Sequence, residues 1–485
     1  MSTATSGKLT LVRGLGLIAA ISIVVGNVIG TGVFLKTRVM TCNVGTPGMV
    51  IAVWVAAGLL SLAGALTYAE LAAMMPKVGG EYVFVREAYG ARMGFLYGWM
   101  QFFIAKAGGL AAISIGFAIF LNTLLGGALG GNYFTLDLFG HQLAFGKLQI
   151  VAVLMIAIVT IINCATVSVN GKIATVLMLT KIALVLVVGA GAFLFARGDW
   201  THFALTNVNG ACEGVSAGAR AGFAGFGAAM LGALWAYNGW NELTFVAGEV
   251  QNPQRNIPLA LIGGMITVAA LYIFVNLAYF YVLTPTEVAN VPAASSVATE
   301  AARKFLGPLA VSLIALALLA SSFGTLHIGV LTGARVPYAM SQHRLFFQNL
   351  ARLSVRTRVP VRALIVQAMW ACVLTLTGSF DALTDYSIFG LWIFYGLVTA
   401  SVFIFRRRMP DAVRPYRTWG YPIVPALFLL VTAWLLVNTL LTTPRQALAG
   451  LGLIALGWPV YWCLSRRREF ISQESHDIAD VENLP

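Results

Sequence analysis

Charge is scarce in this chain. Of 485 residues only 10% are Asp, Glu, Lys or Arg, against 59% hydrophobic, and the mean hydropathy is +0.83. Soluble domains carry roughly a quarter charged residues, so this composition excludes a water-soluble globular protein and leaves a polytopic membrane protein. Histidine and cysteine are also few, five of each. His141, His202, His327, His343 and His476 are dispersed and form no nucleophile–base or metal-ligand constellation. An intramembrane hydrolase or transferase is therefore not expected, and no cofactor or metal is either. Cys42, Cys164, Cys212, Cys372 and Cys463 lack metal spacing and three of them fall in apolar runs, so they specify neither a zinc site nor a disulfide framework. Acidic residues number 18 against 31 basic ones, a formal net charge of +13. In a soluble protein that excess would suggest nucleic acid; here it reads as cationic loops that set orientation in a lipid bilayer. The first apolar run has no small-residue cleavage pattern, and no removable signal peptide is expected.

What the chain has in abundance is long apolar runs. Windows of about 19 residues place spans near 12–38, 47–74, 89–121, 148–167, 173–196, 223–251, 257–283, 306–340, 362–378, 382–405, 420–441 and 446–464. That predicts an all-α protein of twelve transmembrane helices in a single transporter-sized domain. Most of the 31 Lys and Arg residues then fall on one side, including the runs Arg352 to Arg362, Arg406 to Arg417 and Arg466 to Arg468. That side is cytoplasmic by the positive-inside rule, which puts both tails, 1–11 and 465–485, inside the cell.

Two of the runs are interrupted. Val25-Gly26-Asn27-Val28-Ile29-Gly30-Thr31-Gly32-Val33-Phe34 holds three glycines in seven residues, each costing a helix about 1 kcal/mol relative to Ala. In span six, Leu234-Trp235-Ala236-Tyr237-Asn238-Gly239-Trp240-Asn241 sets two Asn residues around a glycine at mid-depth. Bare backbone groups at that depth are tolerated where they line a cavity or hold a ligand. Close helix packing is the better explanation of one glycine cluster alone, but two clusters five spans apart reverse that preference and point to discontinuous helices 1 and 6 of two inverted halves. The half-helix beginning after Gly32 would present the amides of Thr31, Gly32 and Val33, a site for a carboxylate. The half-helix ending near Trp235 and Ala236 leaves carbonyls that suit an ammonium. Together they describe an α-amino acid.

Five motifs carry a resemblance. Gly30-Thr31-Gly32-Val33-Phe34, Tyr68 to Tyr82 (Tyr-Ala-Glu-Leu-Ala continuing to Met-Pro-Lys-Val-Gly-Gly-Glu-Tyr), Trp235 to Asn241, Glu249 to Pro258 and Ser321-Ser322-Phe323-Gly324 occur in the order and spacing of the amino acid-polyamine-organocation transporters. Within them the chain is similar to the L-type amino acid transporter branch. The resemblance implies a five-plus-five inverted-repeat (LeuT-like) fold, with repeats over 12–196 and 223–405 and a peripheral pair of helices over 420–464. It also implies alternating access around a mid-membrane site. Carried over, Thr31 and Gly32 bind the substrate carboxylate, the carbonyls of Ile29, Trp235, Ala236 and Asn238 face its amino group, and the Trp235 ring closes over the side chain. Gly30, Asn241, Ser321 and Ser322 fall to gating or coupling. Trp235 as a membrane-interior packing residue is the competing reading.

Lys181, about two turns into span five, is costly there unless paired or solvated. The resemblance makes it the stand-in for a sodium ion, bridging span one to span eight near Ser321 and Ser322; snorkelling to the cytoplasmic face is the alternative. Lys106 in span three matches a basic residue of the same branch, and cavity lining and structural pairing are both open to it. Glu249 with Arg255 and Glu81 with Arg86 lie at the cytoplasmic edge, where ion pairs that break on inward opening and ordinary loop pairing are both open to them. His327-Ile328 departs from the branch's usual Asn-Gly and bears on the side-chain pocket. Residues 122–147 have no cysteine, so the disulfide-linked glycoprotein partner of animal relatives is not expected, and the chain reads as a prokaryotic carrier of the cell membrane. The nearest carboxylate, Glu242, lies beyond the second break, and Trp235 and Tyr237 crowd the site. Neutral L-amino acids with small to medium side chains are the expected substrates, moved without sodium by exchange. Proton-coupled symport is the alternative, and a channel is remote because the polar residues cluster at the breaks rather than forming pore rings.

Overall fold

A computed structural model describes residues 9–138, 141–292, 295–377, 380–442 and 444–464. Its chain is overwhelmingly helical, as an apolar medium requires, since only a helix satisfies every backbone group within one segment. In order come α1 (Leu17–Val28), α2 (Gly32–Val44), α3 (Pro47–Met74), the loop helix α4 (Glu81–Tyr89), and α5 (Ala91–Met100), which continues through a π-helical turn, Gln101–Lys106, into α6 (Ala107–Leu124). A hairpin of β1 (Asn132–Leu138) and β2 (His141–Gly146), antiparallel, precedes α7 (Lys147–Asn163) and α8 (Val167–Phe195). The second half has α9 (Gly222–Ala236), the single turn α10 (Glu242–Phe245), α11 (Pro253–Val282), two short helices α12 (Pro285–Ala289) and α13 (Val297–Leu306), α14 (Leu309–Gly333), α15 (Arg335–Gln342) and α16 (Val361–Thr377). Then follow α17 (Phe380–Arg408), α18 (Ile423–Thr442) and α19 (Pro444–Ala455).

Among the described residues, nine helical segments are long and apolar enough to cross a bilayer, and three shorter apolar helices, Lys147–Asn163, Gly222–Ala236 and Val361–Leu376, fall in the remaining windows. The chain is an all-α polytopic membrane protein. Most of both expected tails, and Arg466 to Arg468 with them, lie outside the described residues. The first span runs on to Val44 rather than stopping near residue 38, because its polar residues find acceptors within the helix and in the loop before α9. The Thr41 hydroxyl donates to the Thr37 carbonyl at 2.8 Å, and the Asn43 amide group donates to Ala219 O at 2.6 Å.

One expectation is overturned here. Cys42 and Cys212 form a disulfide across 170 residues of sequence. The loop before α9 lies over the end of α2: Asn207 N donates to Gly45 O at 2.8 Å, Ala221 N to Asn43 O at 2.7 Å, and Arg38 Nη1 to Glu213 O at 2.8 Å. Sequence spacing carries no trace of that juxtaposition.

The centre of the bundle is α11, packed against α3, α1 and α8. The rings of Trp54, Tyr237 and Tyr272 meet there with centroids 5.0 to 5.7 Å apart, and the Tyr237 hydroxyl donates to Trp54 O at 3.2 Å. This aromatic knot fixes the floor on which the two helix breaks rest.

Candidate functional site

Both interruptions are present where the glycines predict them. α1 ends at Val28, Ile29 to Thr31 are non-helical, and α2 starts at Gly32 with Thr31 as its N-cap. α9 ends at Ala236, and Tyr237 to Asn241 turn through Gly239 at φ +102° before α10. The breaks touch. A Cβ on Gly32 would lie 2.6 Å from Ala236 Cβ, so only glycine allows the two chains this close. Asn27 Nδ2 donates to Gly239 O at 3.3 Å. The hydroxyl of Tyr272 lies 2.7 Å from Val28 O and 3.1 Å from Ala236 O, sharing one proton between the two breaks. Sequence reasoning missed Tyr272, since a tyrosine in an apolar helix carries no periodic signal.

A cavity of about 450 Å³ opens at this junction. Gly30, Thr31 and Gly32 line it from the first break, Trp235, Ala236, Asn238 and Asn241 from the second, Ser321 and Ser322 from α14, and Lys106 from the π-turn. Ile29 and Val33 are fully buried and do not line the cavity. The first turn of α2 leaves amides without intrahelical acceptors and carries the positive end of the helix dipole. The carbonyls opposite are partly engaged: Ile29 O accepts from Ser321 Oγ at 3.2 Å, Trp235 O from Asn238 N at 3.2 Å and Ala236 O from Tyr272. A carbonyl has two lone pairs, so each keeps capacity for a further donor. The Asn238 side chain accepts from Tyr395 Oη at 2.8 Å. Trp235 is 40% exposed at the cavity, with Lys36 Nζ 4.7 Å from its ring centroid.

Lys181 is buried and does not snorkel. Its ammonium donates to Gly26 O at 2.5 Å and to Thr325 Oγ1 at 2.8 Å. The bridge from span one to span eight exists, but Thr325 takes it rather than Ser321 or Ser322; Thr325 lies one turn further along α14, the distance by which a sequence estimate of helix register errs. Lys106 pairs with Glu242, whose other oxygen accepts from Thr332, so cavity lining and structural pairing both hold for it. His327 is fully buried away from the cavity, its ring nitrogens facing Asn163 Nδ2 at 3.2 Å and Asn170 O at 3.3 Å. It bears on helix packing rather than on the pocket.

The two cytoplasmic-edge pairs are corrected. Glu249 forms a two-pronged, fully buried bond with Arg335, Nε at 2.8 Å and Nη2 at 3.0 Å, in place of Arg255. Glu81 accepts from Asn241 and from Tyr97 Oη, the latter at 3.0 Å, while Arg86 pairs with Glu87 at 2.6 Å. Burial pushes the Glu81 carboxyl up to about 7, against the pull of the Asn241 and Tyr97 hydrogen bonds and of Lys106. The buried carboxylates Glu249 and Glu81 take partners the fold delivers, because a buried charge takes the donor of best geometry, whereas the partly exposed Arg86 keeps its immediate neighbour Glu87.

A cavity at two touching helix breaks, one offering amides and the other carbonyls, has the shape of a site for a small zwitterion, and the comparison with known proteins agrees. Residues 15–462 match the amino acid permease family. The chain belongs to that family. It is 32% identical over 461 residues to the serine/threonine exchanger SteT of Bacillus subtilis, covering 94% of this chain and 98% of that one. It is 30% identical to the human b(0,+)-type amino acid transporter 1, over 90% of this chain and 84% of the other. The human cystine/glutamate transporter is 28% identical, over 94% and 86%. This permease is thus a multi-pass amino acid transporter of the L-type-like branch rather than an enzyme, and its bacterial relative accords with a prokaryotic source.

Proposed function

We propose that this permease crosses the cell membrane twelve times as two inverted five-helix repeats, 12–196 and 223–405, with 420–464 peripheral and both tails cytoplasmic. In this reading it moves small to medium neutral L-amino acids without sodium, by exchange, and needs no disulfide-linked partner. The carboxylate rests on the Thr31 and Gly32 amides, and the amino group faces the remaining lone pairs of the Trp235 and Ala236 carbonyls together with the region of Asn238, while Ile29 and Val33, buried off the cavity, drop out of the contact set. The observation that carries it is the Lys181 ammonium held between Gly26 O of α1 and Thr325 of α14, behind the cavity. A fixed cation there supplies permanently what a bound sodium ion would supply only while present. Orientation has independent support: disulfides persist in oxidising compartments, and the Cys42–Cys212 bond joins the last turn of α2 to the loop before α9, at the end of the first span that the positive-inside rule also places outside.

The test is uptake of radiolabelled serine, alanine and leucine into proteoliposomes, empty or preloaded, with and without sodium and an inward proton gradient. Uptake that requires internal amino acid and ignores both gradients is the expected result. Concentrative uptake into empty vesicles under the proton gradient overturns exchange in favour of symport. Lys181→Met abolishes turnover under either mechanism, so the gradient dependence of the unaltered carrier decides between them.

A further inference from the structure

The cavity is larger than the zwitterionic end of an amino acid, so part of it receives the side chain. Among the described residues that line it, Lys106 and Glu242 are the two that carry charge, and they pair with each other. Their side chains are only 10% and 11% exposed. Glu242 is placed by the second break itself, as the first residue of α10, directly after Asn241. Lys106 is placed by the π-turn, which ends on it and shifts the helix register there. Thr332 of α14 occupies the second oxygen of Glu242, and the Lys106 ammonium lies 4.6 Å from the Phe245 ring centroid. Each group is thus held in place and faces the cavity as half of a neutral pair. Glu81 approaches the same region from α4 through Asn241, behind the cavity wall.

We propose that the Lys106–Glu242 pair is the charge selector of the side-chain subsite: it offers hydrogen-bonding groups with no net charge, and thereby admits neutral side chains while excluding cationic and anionic ones. The proposal rests on the amino acid transport reading above. A substrate ammonium or guanidinium approaching the pair meets Lys106 as well as Glu242, and a substrate carboxylate meets Glu242 as well as Lys106. Either must desolvate without a free counter-ion, which a poorly hydrated site penalises. A serine or threonine hydroxyl, as donor and acceptor together, bonds to both halves at once. Removing one member leaves the other uncompensated and inverts the preference.

The experiment reads uptake ratios in proteoliposomes preloaded with serine, using labelled serine, glutamate and arginine, for the unaltered carrier, Glu242→Gln, Lys106→Met and the double variant. Glu242→Gln raises the glutamate-to-serine ratio, and Lys106→Met the arginine-to-serine ratio, each roughly tenfold or more. The double variant returns both ratios toward those of the unaltered carrier. Single variants that carry serine and still exclude both charged substrates overturn the selector, because a merely structural pair would change rate without changing preference. If a single variant is too slow for uptake, the shift in apparent melting temperature of the purified variant on adding each amino acid gives the same ratios as binding, with the same two outcomes. Failure of the transport reading is distinct: an unaltered carrier that moves no neutral amino acid removes that reading itself.

Discussion

Gly32 gives the sharpest test of the site. A Cβ there would lie 2.6 Å from Ala236 Cβ, 2.9 Å from Ala236 Cα and 3.3 Å from Trp235 Cζ3, whereas a Cβ on Gly30 meets nothing nearer than Val28 O at 3.8 Å. Carbon atoms rest at about 3.5–4.0 Å, so Gly32→Ala must drive the two breaks apart by roughly 1 Å. Overpacking of this kind costs about 1–3 kcal/mol. The Tyr272 hydroxyl now reaches both Val28 O and Ala236 O, and a separation of that size loses one of the two contacts, about 1 kcal/mol more. With 1.4 kcal/mol to each factor of ten, Gly32→Ala weakens apparent substrate affinity by roughly 30-fold or more. Gly30→Ala removes the same backbone freedom without the clash and changes affinity by less than about threefold. The measurement is the concentration dependence of serine exchange in proteoliposomes, with monodispersity in detergent as the check on folding. Equal affinities for the two variants would refute the argument that contact between the breaks builds the site.

Two further predictions concern buried carboxylates. Arg335→Met alone leaves Glu249 buried without its two-pronged partner and lowers stability by about 3–5 kcal/mol, while Arg335→Met with Glu249→Leu recovers much of that loss, read as melting temperature in detergent. Glu81, whose carboxyl burial pushes up to about 7, binds its proton more tightly in the folded chain than in the unfolded one. Its contribution is therefore fully present below about pH 4.5 and is lost as pH rises through about 7, on the order of 3 kcal/mol in all; a Glu81→Gln variant with the same decline in melting temperature from pH 5 to 8 would contradict this.

The parts of the fold legible in the sequence were those written in one-dimensional physics. Apolar runs had to become helices, and the glycines of Gly26 to Gly32 and the Asn238-Gly239 pair had to interrupt them, because both consequences follow from local cost alone. Partnership was not local. Glu249 sits six residues before Arg255, yet Asn252 at φ +43° turns the chain between them, and Arg335, 86 residues away, arrives with its guanidinium fork aligned. The π-turn at Gln101–Lys106 left no mark on the hydropathy profile, although it aims Lys106. The spacing of Cys42 and Cys212 carries no pairing signal, because their bond depends on a loop folding back over α2.

These misses share a cause. In water a charge can be satisfied by solvent, so sequence neighbours are a reasonable first estimate of its partners. In an apolar bundle an ion must find its partner in the protein, and the partner lies on another helix because its own helix presents mostly apolar neighbours. Lys181 ties α8 to α1 and α14, Lys106 and Glu242 tie the π-turn to α10 and through Thr332 to α14, and Arg335 ties α15 to the loop after α10. Span eight, with α15 continuing it, takes part in all three. A carrier that changes shape while keeping its buried charges paired moves in units drawn by those bonds. The position of α14 relative to the two breaks is therefore what the cycle must either preserve or alter, and substitutions at Thr325 or Thr332, which touch the ammonium and the carboxylate without carrying charge, alter turnover more than fold.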